Sequence, residues 1–326
     1  MDFLSANELP WLHGAQARLR EAQAAGRMPH SLLLLGPPGL GLEALSHWIV
    51  GFALCEGAGL RPCGSCASCQ LLRSGSHPDA LVLHVEEDAK QIKVEQVRGL
   101  IESLTLKSYR GGYKVALIEG AELLNANGAN AFLKTLEEPT QNTLLILAAN
   151  PNHRLPATIA SRCLRLALRA PARAEAVAWL AGRGSATADW NAALRLAGGA
   201  PLLALEIEAA GLARLDEEMR RDVDLLSRGA ADPSILAEGW IRSGLALRLA
   251  WLENWLTQRI RSGLGVAEIS PNETRVGLPD PRLRPKICQL FDLHDAVRSF
   301  RRLGSSSMNQ QLALEAMLLG GLKALS

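Results

Sequence analysis

Four cysteines fall at Cys55, Cys63, Cys66 and Cys69, a C-x7-C-x2-C-x2-C spacing, while Cys163 and Cys288 stand apart. Clustering of this kind argues for a metal rather than a disulfide scaffold. Gly64-Ser65 makes a tight turn that brings paired thiolates onto one ion, and four soft sulfur donors favour tetrahedral zinc with no position left for water. The expected site is structural, not catalytic. An iron–sulfur cluster and unligated thiols are the alternatives, although the ferredoxin run continues with a fourth cysteine and a proline that this sequence lacks. His77, eight residues past Cys69, could replace one cysteine as a ligand or, within His77-Pro78-Asp79, shape the next loop. Cys163 and Cys288 read as small buried hydrophobes.

A second candidate lies just before the cysteines. Gly36-Pro37-Pro38-Gly39-Leu40-Gly41-Leu42-Glu43 follows an apolar run and opens a helical pattern, the setting of a GxxxxGK[ST] phosphate loop. Its glycines let backbone N–H groups turn around an anion at a helix N-terminus. The chemistry is missing. Leu42 stands where a lysine would reach the phosphates, which removes a charge-assisted interaction of about 1.5–3 kcal/mol. Glu43 replaces the metal-ligating hydroxyl and sets a negative charge beside them. In Val115-Ala116-Leu117-Ile118-Glu119-Gly120, Glu119 could stand in for the metal-binding aspartate, but Gly120 takes the place of the acid that would activate water. Two independent losses predict neither ATP binding nor ATPase turnover.

The elements that would carry these residues alternate. Strands are expected at residues 31–35, 80–85, 114–118 and 143–148, with helices at about 42–54, 94–104 and 123–137, the last stopped by Pro139. Alternation predicts a mostly parallel sheet covered on both faces. After Leu168 strand-like runs disappear and Ala, Leu and Arg dominate. Residues 169–208 read as a small helical domain and 209–326 as a larger one, broken by a proline-rich stretch between Ser262 and Pro285. Trp240, Leu247, Trp251 and Trp255 recur at helical spacings and read as a core stripe.

Composition sets outer limits. The 326 residues are 48% hydrophobic and 21% charged, typical of a globular chain that folds throughout. A net charge of +2 is too mild for a protein that grips nucleic acid alone. No run reaches the ~18 apolar residues of a membrane span and the N-terminus lacks a signal pattern, so a cytoplasmic location is expected.

Taken in order, the defective loop, the cysteine insert, His77-Pro78-Asp79, the segment Asn130-Ala131-Phe132-Leu133-Lys134-Thr135-Leu136-Glu137-Glu138-Pro139, Ser161-Arg162-Cys163 and Asn309-Gln310-Gln311-Leu312-Ala313-Leu314-Glu315 form a specific set. Over nearly its whole length the chain resembles the delta-prime family of bacterial DNA polymerase III clamp-loader subunits. The resemblance implies an α/β fold of the P-loop AAA+ type over residues 1–168, with the zinc-binding insert at 55–69, then a helical lid and a helical collar. It also implies a non-hydrolysing stator in a ring of five with gamma/tau and delta subunits, loading a sliding clamp onto primed DNA. In such a subunit Arg162 acts in trans on a neighbour's ATP; taken alone, it reads first as a surface arginine paired with a local carboxylate. Lys134 faces either a phosphate or solvent. An active ATPase with an unusual loop and a zinc-dependent nucleic-acid module are the competing functions.

Overall fold

The fold was obtained as a computed structural model that describes residues 5–86, 89, 91–151, 155–185, 188–263, 284–303 and 310–325. The chain forms two compact units, Met1–Ala172 and Arg173–Ser326.

Five strands build the first unit: β1 (Ser31–Leu35), β2 (Ala80–Leu83), β3 (Lys114–Glu119), β4 (Thr143–Ala149) and β5 (Leu164–Ala167). All pairings are parallel, in the order β2-β3-β4-β1-β5. Parallel neighbours need crossover connections, so helices cover the faces and the central strands must be apolar on both sides. β4 meets that demand with all seven residues buried. Edge strand β5 does not: Leu164 and Arg165 are exposed, and this segment therefore lacks the apolar run that announces the other strands. The chain order reverses around β1, and the crevice beyond the C-terminal strand ends at such a point is where open α/β sheets hold ligands.

Helices α1 (His13–Ala24), α2 (Leu42–Leu54), α3 (Ala67–Arg73), α4 (Val94–Thr105), α5 (Ala126–Glu137) and the single turn α6 (Ala157–Ala160) complete this unit. Val97, Leu100 and Leu104 of α4 and Phe132 and Leu136 of α5 share one core with Ile118, Leu145 and Leu147 of the sheet. The helix expected from about residue 123 starts later. A 3-10 turn at Ala121–Leu123 ends at an extended Leu124, and Asn125 then caps α5 by accepting the Gly128 N–H at 2.7 Å. The strand expected to reach residue 85 ends at Leu83.

The second unit is helical throughout its described residues: α7 (Arg173–Ala181), α8 (Trp190–Leu196), α9 (Pro201–Ala209), α10 (Leu212–Ser227), α11 (Pro233–Arg242), α12 (Leu245–Gly263), α13 (Arg284–Leu303) and α14 (Gln310–Leu325). Trp240 and Trp251 are buried, as a core stripe requires, and each indole N–H finds a carboxylate: Asp222 Oδ2 at 2.8 Å and Asp216 Oδ1 at 2.9 Å. Leu247 and Trp255 are half-buried, the latter stacked on Trp251 with ring centroids 6.2 Å apart. Cys288 corrects the expectation of a buried thiol: Ile287, Leu290 and Leu293 take the inner face of α13 and leave Cys288 exposed. Most of the proline-rich stretch, residues 264–283, and Asn309 lie outside the described residues. No helix of the described residues is long and apolar enough to cross a membrane.

A candidate phosphate loop and a four-cysteine cluster

β1 delivers the chain at Gly36 to a loop that ends in α2. Gly41 is the residue before the helix and has φ 80°, a left-handed conformation that costs glycine little. Leu40 is buried at the base of the loop, and its carbonyl accepts the Trp11 indole N–H at 3.0 Å. Gly36, Gly39 and Gly41 thus lie on a loop between β1 and α2, with Leu42 half-buried and Glu43 exposed in the first turn of α2.

One turn further along α2, His47 faces Glu119 at the end of β3, with His47 Nε2 2.8 Å from Glu119 Oε1. A carboxylate only accepts, so Nε2 carries the proton of this bond. Donor atoms of Glu43, His47 and Glu119 all lie within 4.8 Å of one another. Glu119 Oε1 is thus bonded to His47, and Glu43 and Glu119 set two carboxylates close together at the helix end of the loop. The next residue, Gly120, offers no acid and turns the chain with φ 70°.

The cysteine insert spans the end of α2 and the start of α3. Sγ–Sγ separations are 4.0 Å for Cys55–Cys66 and 3.9 Å for Cys63–Cys69, and all four sulfurs lie within 4.8 Å of one another. Four thiolates ligating zinc at about 2.3 Å define a tetrahedron with edges of about 3.8 Å, so the donor set fits one ion after slight contraction. An iron–sulfur cluster shares its four thiolates among two or four irons and so spreads them wider than a single ion does. Backbone N–H groups also point at the sulfurs: Cys63 N–H at Cys55 Sγ (3.3 Å), Cys66 N–H at Cys63 Sγ (3.3 Å) and Cys69 N–H at Cys66 Sγ (3.4 Å). The N–H groups of Ser65 and Cys66 and the Ser65 hydroxyl pull the Cys63 thiol down to about 5, whereas burial pushes the Cys55 and Cys69 thiols up. A Cβ on Gly57 would lie 3.0 Å from Cys63 Sγ, so a larger residue there would crowd the cysteine.

His77 is not a ligand. Ser68 Oγ donates to the Leu54 carbonyl at 2.6 Å and therefore accepts from His77 Nε2–H at 2.9 Å, while His77 Nδ1 accepts the Asp79 N–H at 3.1 Å. Both ring nitrogens are used in holding the loop, and burial lowers the imidazole pKa. Asp79 in turn accepts from the Tyr109 and Arg110 N–H groups at 2.7 and 3.0 Å and from the Ser108 hydroxyl at 3.1 Å. Arg110 then reaches back to Glu56, between Cys55 and Gly57, with Nε–Oε1 2.6 Å and Nη2–Oε2 3.0 Å. These bonds tie the insert to the sheet.

Arg162 sits between α6 and β5. Its carbonyl accepts the Ser31 hydroxyl at 2.7 Å, which fixes its backbone to the start of β1. The side chain turns to α5: Nε donates to Glu137 Oε1 at 2.7 Å and Nη2 stands 2.5 Å from the same oxygen, while Nη1 donates to the Thr158 carbonyl at 2.9 Å. Lys134, one turn earlier on α5, is exposed.

A family model described as "DNA polymerase III, delta subunit" matches residues 13–172. The delta-prime subunit of DNA polymerase III from Pseudomonas aeruginosa is 35% identical across 96% of this chain and 97% of its own length. The chain belongs to the delta-prime family of the DNA polymerase III clamp loader. Its Yersinia pestis counterpart is 32% identical over 98% of this chain and 97% of that one. The likeness extends to the tau subunit of Escherichia coli DNA polymerase III, 34% identical over 47% of this chain but only 23% of tau.

As a delta-prime chain, this protein brings Glu43 and Glu119 together, converges its four cysteines, and keeps Arg162 apart from both at the α6–β5 corner. Sequence reasoning missed His47 and Glu137. The one readable signal for His47 was its position four residues after Glu43, on the same helical face.

Proposed function

We propose that this delta-prime chain is a clamp-loader subunit that neither binds nor hydrolyses ATP. It serves as a rigid stator in a ring with gamma/tau and delta subunits, helping to open a sliding clamp and place it on primed DNA. The observation that carries this reading is the pairing of Leu42 and Glu43 in the loop with a Glu119 already bonded to His47. A loop with no lysine, beside two grouped carboxylates, lacks the positive charge that binds a nucleoside triphosphate.

Within the same reading Arg162 is an arginine finger offered to the nucleotide of an adjacent ATPase subunit, where a planar fork of donors suits a γ-phosphate. Cys55, Cys63, Cys66 and Cys69 would hold a zinc ion, which supplies only cross-linking of the insert. Residues 169–208 act as the lid and 209–326 as the collar that joins the ring.

The test is reconstitution. The isolated chain should show no ATP binding or turnover, and should enter a stable complex when mixed with gamma/tau and delta subunits. Turnover by the isolated chain, or failure to join the complex, overturns the reading.

A further inference from the structure

The contacts of Arg162 pose a problem for a residue that acts outside its own subunit. Glu137 Oε1 takes Nε at 2.7 Å and stands 2.5 Å from Nη2, while Nη1 is shared between the Thr158 carbonyl at 2.9 Å and Ser161 Oγ at 3.3 Å. Arginine has five N–H donors and needs two parallel ones for a fork on phosphate. The edge that best forms such a fork, Nε with Nη2, is the one turned onto Glu137.

Glu137 itself is badly placed for its own helix. It is the last residue of α5, where the exposed carbonyls give the dipole its negative end and a carboxylate is disfavoured. Arg162 offsets this together with Lys134 of the same helix turn. The pair is half-exposed, 36% for Arg162 and 50% for Glu137, so an incoming anion can reach it and a partner of higher charge can displace the carboxylate.

Resting on the trans-acting role proposed for Arg162, we infer that Glu137 holds this arginine in a retracted position, and that a neighbour's triphosphate must displace the carboxylate before the arginine engages. Glu137 is then a positioning residue that sets how much nucleotide the complex needs before it responds. Exchange of one acceptor for another keeps the guanidinium bonded in both states, which suits a switch with a small free-energy gap.

The experiment uses the fully assembled clamp loader and titrates ATP against clamp-stimulated hydrolysis, comparing the wild type with Glu137→Ala, Glu137→Gln and Arg162→Ala. Losing a half-exposed ion pair should lower the ATP concentration for half-maximal hydrolysis about two- to five-fold in Glu137→Ala. Glu137→Gln, which keeps an acceptor oxygen but no charge, should fall between it and the wild type. Arg162→Ala should lower the stimulated rate at least about ten-fold. If Arg162→Ala lowers the rate but both Glu137 variants leave the half-maximal concentration unchanged or raise it, the retracted state is wrong and the finger stands. If Arg162→Ala changes nothing, the underlying reading fails and this inference with it.

Discussion

His47 Nε2 lies 2.8 Å from Glu119 Oε1, joining α2 to the end of β3 across the place where the two nucleotide motifs of a P-loop protein meet. In a working site that space is shared by a lysine, a metal ion and phosphates. Here a histidine of the chain itself bonds the acidic residue.

The loss should be partly reversible. Leu42→Lys combined with Glu43→Thr restores the cation and the hydroxyl and is expected to strengthen binding of a fluorescent ATP analogue about ten- to hundred-fold, the value of one charge-assisted hydrogen bond. Hydrolysis should stay absent because Gly120 supplies no acid. Equal binding by wild type and double variant would show that these two residues are not what excludes the nucleotide.

Zinc should copurify at one equivalent per chain. Cys66→Ser removes one of four donors and is expected to release the metal and speed hydrogen exchange across residues 55–73, with far smaller effects on β3 and β4. Structural zinc contributes about 10–16 kcal/mol in isolated peptides, but a domain with its own core hides most of that from global unfolding. A metal-free wild-type protein with an unchanged melting curve would count against the centre.

Asp79 makes the first unit acid-sensitive. Burial acts to raise its carboxyl, but the Tyr109 and Arg110 N–H groups and the Ser108 hydroxyl outweigh it and hold the group below the usual aspartate range. A pKa depressed by folding gives stability that is complete above the unfolded value near 3.9 and is lost as pH falls through the folded value. Asp79→Asn should therefore cost about 1.5–3 kcal/mol at neutral pH in denaturant unfolding, and the difference from wild type should shrink below about pH 4.

In the second unit, Trp240→Ala should cost about 3–5 kcal/mol, since it empties a fully buried site and leaves Asp222 without its indole donor. Trp240→Phe keeps most of the volume, so its smaller cost isolates the hydrogen bond. Thermal unfolding of both variants gives the comparison.

Much of this was legible in the sequence because the relevant signals are local. β1, β3 and β4 are buried on both faces and so read as unbroken apolar runs, while the cysteine spacing contains its own turn. What escaped depended on tertiary position. β5 is an edge strand whose exposed Leu164 and Arg165 carry no strand pattern, and α5 was drawn too long because Asn125 declares itself as a cap only once Gly128 is seen to donate to it. The pairs His47–Glu119 and Arg162–Glu137 join residues far apart in the chain, and only the folded sheet brings them together.

The most direct test of the account is ATP hydrolysis by the reconstituted clamp loader containing wild-type chain or Arg162→Ala, in the presence of clamp and primed DNA. Both chains should assemble equally and neither should turn over ATP alone, yet the Arg162→Ala complex should lose at least about ten-fold in rate, a conservative share of the 10³–10⁵ an arginine finger supplies in GTPases. Equal rates from the two complexes would contradict it, and would leave Arg162 as a surface residue paired with Glu137.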